Sequence, residues 1–360
     1  MKKNVTIYDI AKKAGVSTTT VYKAVHNLKG VSLVRKKEIL EIAEKMNYKS
    51  NTIAQTLARK EIKIGVVFEI DNPFTALMLK GVKFTLTQLQ NFKVSGVFSE
   101  TGIRVDKAHI LKQFKRTLFS DVDGIILFPS VPYVEYAEFN DEIARRNIPI
   151  ITLNNEIPSM HCISTIQYDG ELLGRIAGDL MNLCNPQSTS VAFIGNKDVE
   201  AQNQTIVGFK NVLESKGALL INAYENHYDD QLGALAVKNM LLNYPDTNGV
   251  FVGVSQFKGI TDALKTSGLV DRFKIITVDV VDAILQQLNS GIIAATLDRH
   301  PFLMGQIAVN TLYNFLTQPF DVCKKICVPP SVLLPSNIAS VQAQDSFANY
   351  PLFPNYGQQL

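Results

Sequence analysis

The 360-residue sequence has little cysteine and no long apolar run, and both absences limit where the protein works. Four cysteines are too few for a disulfide framework in so long a chain, which predicts reduced, mostly buried thiols and a cytoplasmic location. No stretch of about 18 uncharged apolar residues is present, so we expect no membrane span. The lysine-rich start has no apolar segment of the kind found in secretory signals. These absences predict a soluble cytoplasmic protein.

Familiar catalytic and metal-binding motifs are also absent. The sequence contains no GxGxxG, Walker A, GxSxG or HExxH pattern. Its five histidines are scattered, and the cysteine pair in CKKIC has no histidine cluster beside it, which favours ordinary thiols over a zinc site. We therefore predict no enzymatic activity, no metal and no cofactor.

Positive charge is concentrated at the start of the chain. Residues 1–63 carry 14 Lys or Arg against five Asp or Glu, whereas the remainder carries 22 against 28. A basic segment on an acidic body indicates that the segment faces a polyanion. A solvated basic surface explains the same charge, so the motifs must decide between the two interpretations.

Three short amphipathic helices are predicted within residues 1–49. Thr6 and Asp9 are predicted to form a capping box at the start of the first helix. That helix ends at Gly15, because glycine readily adopts a left-handed conformation. Ser17 caps the second helix and Ser32 the third. Apolar residues at helical spacing give each helix one buried face: Ile7, Ile10, Ala11 and Ala14; Val21, Ala24 and Val25; Ile39, Ile42, Ala43 and Met46. This arrangement predicts a helix-turn-helix unit.

The second helix of such a unit enters the major groove of DNA with its N-terminal end first. Its outer face must then carry polar side chains that reach base edges and phosphates. We predict DNA contacts for Thr6, Ser17, Thr18, Thr19, Thr20, Tyr22, Lys23 and His26. Small three-helix units also bind proteins, so the three helices by themselves leave protein binding as an alternative to DNA binding.

Residues 50–61 are predicted to form a hinge helix and a linker. Asn51 can cap a helix of about eight residues, which is too short to be stable alone in water. Such a helix folds only against a partner. Its apolar side lies next to Arg59 and Lys60, a combination that suits insertion into a minor groove of DNA.

The body of the chain, from residue 62, alternates short Val- and Ile-rich runs with helical patterns. The predicted strands are IKIGVVFEI, FKVSGVF, VDGIILFP, IPIITLN, SVAFIG, NGVFVGV and KIITVD. Repeated alternation of strand and helix predicts parallel sheets covered on both faces, in two lobes of about 62–164 and 166–295. Ligands of doubly wound sheets bind at the carboxyl ends of the strands, which predicts a binding cleft between the lobes.

Three linked motifs at the chain start resemble the LacI family (lactose/galactose repressor type) of transcriptional regulators. They are TIYDIAKKAGVSTTTVYKAV, the run RKKEILEIAEKMNY, and N-x-x-A-x-x-L as Asn51, Ala54 and Leu57. The resemblance implies a recognition helix and a hinge helix that folds on operator DNA, with those three residues in the DNA contact set and Leu57 wedged into the minor groove. The sequence departs from the family at Tyr22-Lys23, where Ser-Arg is usual, and at Ser50, where proline is usual.

The resemblance continues through IGVVFEIDNPFTALMLKGV, IPIITLNNEIP and YDGELLGRIAGDLM to about residue 340. It implies a multidomain fold: an all-α helix-turn-helix headpiece and an α/β effector domain like a periplasmic sugar-binding protein, with two doubly wound lobes. Chain crossings near 165, 296 and 326 then divide the protein into the following segments. They are a headpiece (1–49), a hinge and linker (50–61), an effector and dimerisation domain (62–341, with lobe one 62–164 and 297–325 and lobe two 166–295 and 327–341) and a tail (342–360).

Polar and aromatic residues near the predicted strand ends and the chain crossings are candidates for binding a small effector. They are Asn72, Phe74, Ser130, Asn203, Thr205, Ser255, Asp279 and Arg299. Each of them also suits strand-end capping. Family members commonly have arginine where Thr205 stands and asparagine or aspartate where Val254 stands, so the class of ligand does not transfer directly.

We therefore predict a DNA-binding transcriptional repressor that works as a homodimer on a pseudo-palindromic, double-stranded operator. A small effector, a sugar or sugar derivative, is predicted to control its operator affinity. The alternative is a soluble sugar-acting enzyme or a sugar-binding protein of the same α/β fold, because doubly wound folds host many functions.

Overall fold

A computed structural model describes most of the chain, namely residues 5–25, 30–46, 48, 59–70, 72–101, 107–129, 133–318 and 321–339. The helices are α1 (Ile7–Ala14), α2 (Thr18–Val25), α3 (Leu33–Lys45), α4 (Pro73–Gln88), α5 (Lys107–Leu118), α6 (Asn140–Arg146), α7 (Gly170–Cys184), α8 (Glu200–Ser215), α9 (Asp230–Asn243), α10 (Lys258–Thr266), α11 (Asp282–Asn289) and α12 (Pro301–Thr317). The strands are β1 (Ile62–Glu69), β2 (Val94–Thr101), β3 (Gly124–Leu127), β4 (Ile150–Leu153), β5 (Ser164–Tyr168), β6 (Thr189–Ile194), β7 (Leu219–Glu225), β8 (Gly249–Val252), β9 (Lys274–Val278), β10 (Ala295–Asp298), β11 (Lys325–Val328) and β12 (Ser331–Leu333). Short 3₁₀ turns lie at Gln90–Phe92, Tyr133–Phe139, Val270–Arg272 and Pro335–Asn337.

The headpiece consists of α1, α2 and α3 around a small apolar core. The predicted capping box is confirmed: the amide of Asp9 donates to the Thr6 hydroxyl, and the Asp9 carboxylate accepts from the Thr6 amide at 2.8 Å. Gly15 ends α1 with φ 63°. The predicted apolar faces meet in one cluster of buried residues: Ile10, Ala11, Val21, Ala24, Ile39 and Ala43. Burial of these side chains stabilises three helices that are individually too short to persist in water.

Arg35 joins the third helix to the first. One of its guanidinium nitrogens donates to the carbonyl of Ala14 at 2.8 Å, and the other lies 2.6 Å from a carboxylate oxygen of Glu38. The carbonyls in the last turn of a helix have no partner within the helix, so a cation there is favourable. The pairing fixes α3 against the end of α1, next to the turn that leads into α2.

The chain divides into two compact units, and the first, which includes the headpiece, comprises residues 1–69, 80–165 and 305–325. Its sheet has the strand order β11-β5-β4-β3-β1-β2, and β1 pairs in parallel with both β2 and β3. The largest side chains of one apolar layer include Phe114, Tyr136 and Phe139, whose rings meet edge to face.

The second unit comprises residues 70–79, 166–304 and 326–360. Its sheet has the order β12-β10-β9-β8-β6-β7, in which β12 runs antiparallel to β10. In both units, consecutive parallel strands are joined by helices, as the alternating sequence pattern predicts. Residues 297–304, which the sequence analysis assigns to lobe one, fall in the second unit because β10 pairs with β9 and β12.

The helices α7 and α8 of the second unit pack unusually closely through glycine. A Cβ atom built on Gly174 would lie 2.0 Å from the carbonyl oxygen of Thr205 and 2.8 Å from the amide of Phe209. A Cβ atom on Gly208 would lie 2.3 Å from the carbonyl oxygen of Glu171. The two backbones therefore touch, and only glycine fits at these positions.

Two further sequence expectations can be compared with the fold. None of the helices within the described ranges is long and apolar enough to span a bilayer. The cysteines are free, but Cys184, Cys323 and Cys327 are exposed and Cys162 is partly buried. The expectation that the thiols are mostly buried was therefore wrong, because Cys184 at the end of α7, Cys323 in the segment before β11 and Cys327 on β11 all face solvent.

Candidate functional sites

The first candidate site is the outer face of α2. The amide of Thr20 donates to the Ser17 hydroxyl at 3.1 Å, and the hydroxyls of these two residues lie 2.9 Å apart. Ser17 thus caps α2 as predicted, and both hydroxyls are engaged at the cap. Thr19 and Tyr22 point outward, with 43% of Tyr22 exposed, while Thr18 is partly buried. The outer face offers hydroxyl and phenol groups at the end of the helix that would enter a groove.

The side chain of Lys23 differs in position from those of Thr19 and Tyr22. A Cβ atom built on Gly30 would lie 3.3 Å from the ammonium nitrogen of Lys23, so the end of this side chain lies beside Gly30. Gly30 has φ +100°, a conformation that side-chain-bearing residues rarely adopt. Lys23 is partly buried, whereas Thr19 and Tyr22 are exposed.

Of the remaining candidates for DNA contact, the structure describes Thr6 but not the other four. Thr6 is exposed, and its hydroxyl donates to the Asp9 carboxylate at 2.7 Å as part of the cap of α1. Four candidates, together with Ser130 from the effector set, lie outside the described residues: His26, Asn51, Ala54 and Leu57. The hinge helix predicted over 50–61 falls largely outside them as well. The described part of the interface is therefore the helix-turn-helix unit itself.

The second candidate site is a buried ion pair in the second unit. Arg299 donates from Nε to Oδ1 of Asp279 at 2.7 Å and from Nη2 to Oδ2 at 2.6 Å. Ser255 Oγ donates to the same Oδ2, and Nη2 lies 3.5 Å from Ser255 Oγ. The Asp279 side chain is 2% exposed and that of Arg299 6%. A two-pronged pair of this kind fixes both planar groups in one orientation.

Two aromatic rings cover the guanidinium of this pair. The Cζ atom of Arg299 lies 4.0 Å from the ring centroid of Phe74 and 5.0 Å from that of Tyr168. The rings meet edge to face, with centroids 6.3 Å apart. One face of Phe74 therefore stacks on the cation, a favourable contact when it is shielded from water. Arg299 and Thr205 both act on the Tyr168 hydroxyl and oppose the rise in its pKa that burial causes.

The local backbone explains why Asp279 can take this position. It follows β9 directly and has φ 74°, which turns its side chain out of the strand direction. Its amide donates to the carbonyl of Leu297 at 2.8 Å, and its carbonyl accepts from Thr296 Oγ1 at 2.9 Å. A non-glycine residue with positive φ is strained unless the surroundings fix it. Here the neighbouring strand β10 fixes it at the carboxyl end of the sheet.

Burial and pairing act against each other on the charges of this cluster. Burial by itself would lower the pKa of the Arg299 guanidinium, but the charge and hydrogen bonds of Asp279 raise the pKa above its usual value. Burial raises the pKa of the Tyr168 hydroxyl, and the nearby Arg299 charge offsets part of that rise. The cluster thus presents a permanent cation and a neutral phenol.

Five of the predicted effector residues lie in or beside this cluster: Phe74, Thr205, Ser255, Asp279 and Arg299. Asn72 instead caps α4, because its Oδ1 accepts from the Thr75 amide at 3.0 Å. Asn203 is exposed on α8, whereas its neighbour Gln202 is buried and accepts from the amides of Gly195 and Asn196.

The sequence analysis missed Tyr168. It stands at the carboxyl end of β5, so the strand-end rule would have selected it if STIQY had been read as a strand. Metal binding has no support here either: no group of three or more His, Cys, Asp or Glu side chains suited to a metal ion occurs in the described part of the chain.

Comparison with known proteins gives two family matches. The periplasmic binding protein domain matches residues 64–318, and the bacterial regulatory proteins of the lacI family match residues 6–51. The first match covers most of the body of the chain, and the second covers the headpiece and the first two residues of the predicted hinge segment.

Individual proteins resemble the chain over most of its length. Catabolite control protein A of Priestia megaterium is 28% identical over 279 residues, which are 74% of this chain and 79% of that protein. The crystal structure of the lac repressor bound to ONPG superposes with a TM-score of 0.64 at 21% identity, covering 92% of this chain and 98% of that one. GanP, a glucose-galactose binding protein from Geobacillus stearothermophilus, superposes with a TM-score of 0.68 at 21% identity, covering 78% and 99%. At these identities the two structures share the fold of this chain.

Proposed function

The chain belongs to the lacI family of bacterial regulatory proteins, with a periplasmic binding protein domain as its body, and we propose that it is a sugar-controlled repressor. As a member of this family it is a DNA-binding transcriptional regulator. The observation that carries the proposal is the pairing of a capped helix-turn-helix unit with a buried Asp279–Arg299 cluster at the carboxyl ends of a doubly wound sheet.

The chemistry of the cluster suits a hydroxyl-rich ligand. A carboxylate has about four acceptor positions and a guanidinium five donors. Asp279 accepts two hydrogen bonds from Arg299 and one from Ser255, so both charged groups keep capacity for ligand hydroxyls. The buried rings of Phe74 and Tyr168 beside the ion pair provide aromatic surface of the kind that a sugar ring contacts. GanP, which has the same fold, is a glucose-galactose binding protein, and this supports a sugar as the ligand.

The regulator is proposed to act as a homodimer on a pseudo-palindromic operator. One helix-turn-helix unit reads one half-site, so a two-fold dimer reads two. The first unit offers a surface for a second copy: β2 is an edge strand on which Val97 and Phe98 are exposed, beside a cavity of about 370 Å³. The mass of the full chain in solution, measured by light scattering, tests the dimer. A monomer bound to a full operator would contradict it.

Control by the ligand follows from differential binding. If the ligand binds one arrangement of the body better than the other, it shifts the population toward that arrangement. A coupling of about 1–3 kcal/mol changes operator affinity roughly 5- to 150-fold. In the proposed repressor, the sugar releases the operator.

Ligand binding can be tested on the full chain with neutral sugars. We expect one of D-glucose, D-galactose, D-ribose or L-arabinose to raise the melting temperature, because a ligand at about 100 times its Kd stabilises by about 2.7 kcal/mol. The same sugar should release a bound operator duplex. If the chain binds its operator but responds to no sugar, the sugar part of the proposal fails and the DNA part stands.

Base reading by α2 can be tested at Thr19. Thr19→Val removes a hydroxyl and keeps the shape, so we expect operator affinity to fall by about 1–3 kcal/mol if the hydroxyl contacts a base edge. Thr266→Val, at an exposed position of α10, is the matched control and should bind like the wild type. Fluorescence anisotropy with a labelled operator measures both. Equal affinity of the two variants would show that the Thr19 hydroxyl does not read a base.

A further inference from the structure

The amino edge of the first sheet, where β1, β3 and β4 begin, is rich in cations. These strands are parallel, so their amino ends lie at one edge, and α5 and α6 return to that edge with their last turns. The linker of residues 50–61 leads directly into β1. The amino edge is therefore the first part of the body that the chain reaches after the headpiece.

Asp121 at this edge has two lysines for partners. Its Oδ2 lies 2.8 Å from Lys63 Nζ, and its Oδ1 lies 4.0 Å from Lys60 Nζ. The hydrogen bond and charge of Lys63, together with the charge of Lys60, lower the pKa of the Asp121 carboxyl. The carboxylate stays ionised and has two lysines as partners, while the charges of Glu61 and Asp123 also act on Lys63.

Glu142, at the same edge, also has two cations as partners. Its Oε1 lies 2.5 Å from Arg145 Nη2 and 3.9 Å from Arg146 Nε. Arg146 also donates to the carbonyl of Leu118 and, at 3.3 Å, to that of Ser120. Arg146 thus holds the C-terminal end of α5 in place.

Lys115 and Arg116 lie in the last turn of α5, and both side chains are exposed. Neither forms an ion pair with any carboxylate among the residues that the structure describes. Both charges are available to an anionic partner.

We propose that the amino edge is a second DNA-contacting surface, in which Lys115 and Arg116 bind backbone phosphates of the duplex that the headpiece holds. The inference rests on the proposed operator binding. The chain between Tyr48 and Arg59 spans at most about 40 Å when extended, so a bound duplex stays within reach of this edge. Contacts of this kind add affinity without reading sequence. The surface therefore supplements the headpiece and leaves base recognition to α2.

The experiment compares two double variants of the full chain. Lys115→Gln with Arg116→Gln removes the proposed contacts, and Lys238→Gln with Lys265→Gln removes two exposed lysines from the second unit as a matched control. The probe is a labelled duplex obtained by selection from a random library with the wild-type chain. Affinity is measured by anisotropy from about 50 to about 200 mM salt, because each lost phosphate contact should reduce the salt slope by about 0.9. Circular dichroism checks that both variants are folded.

We expect the first variant to lose about 2 in slope and roughly tenfold or more in affinity at low salt. The control should keep the slope of the wild type, because the proposed phosphate contacts lie on the first unit. Equal slopes in the two variants would overturn the inference and leave the surface to another partner, such as an acidic protein. If the wild-type chain selects no duplex at all, it is the proposed function that fails, and the second surface fails with it.

Discussion

Asp279→Asn is expected to lower the free energy of unfolding by about 3–5 kcal/mol, because it leaves the Arg299 guanidinium buried without a counter-charge. The two side chains are 2% and 6% exposed, so water cannot replace the lost carboxylate. Ser255 would also lose the acceptor of its hydroxyl. Urea unfolding of the full chain measures the change.

Two further variants separate the buried charge from other effects. Asp121→Asn breaks an exposed pair with Lys63 and should change stability little, since solvent screens such pairs. Asp279→Leu combined with Arg299→Met should recover much of the loss, because replacing both partners leaves no buried charge. An unchanged unfolding midpoint for Asp279→Asn would show that the pair is hydrated in solution.

Gly174→Ala is expected to destabilise the chain by about 3 kcal/mol, the upper end of the usual range for overpacking. The added methyl would lie 2.0 Å from the carbonyl oxygen of Thr205, and backbone atoms cannot move aside as a side chain can. The two helices would have to separate, and α8 carries Thr205, which acts on the hydroxyl of Tyr168 in the effector cluster. We therefore expect weaker ligand binding together with the loss of stability.

Gly233→Ala is the matched control for this prediction. Gly233 also lies in a helix, but a Cβ atom there would lie 3.0 Å from Cγ1 of the Ile260 side chain. That side chain can shift by a few tenths of an ångström, and alanine favours the helix by up to about 1 kcal/mol. Its unfolding midpoint should stay near that of the wild type. If Gly174→Ala behaves like Gly233→Ala in urea unfolding, the close approach of α7 and α8 relaxes at little cost.

Much of the fold could be read from the sequence because the signals are local. The cap at Thr6, the end at Gly15 and the cap at Ser17 depend on neighbours within a few residues, and the structure has all three. Central strands such as β1 and β3 are continuous apolar runs and were predicted as well. Edge strand β7 was missed, since it is partly exposed throughout and contains Asn222.

The candidate site was only partly predictable, for a different reason. Asp279 and Ser255 follow apolar strands, so position alone selects them as candidates. That Arg299 neutralises Asp279 depends on the pairing of β9 with β10, which no local pattern records. Asn203 was chosen over Gln202 although one residue along a helix turns the side chain by about 100°, onto another face. Tertiary pairing and helix phase therefore set the limits of the sequence prediction.

The turn after α2 has a consequence for how operator preference can change. The Lys23 ammonium rests beside Gly30, at a backbone angle that disfavours every other residue. A side chain introduced at position 30 would crowd the end of Lys23, whose flexible tip would have to shift by a few tenths of an ångström. A substitution at position 30 can therefore alter the proposed DNA contact of Lys23 while the residues of α2 stay unchanged.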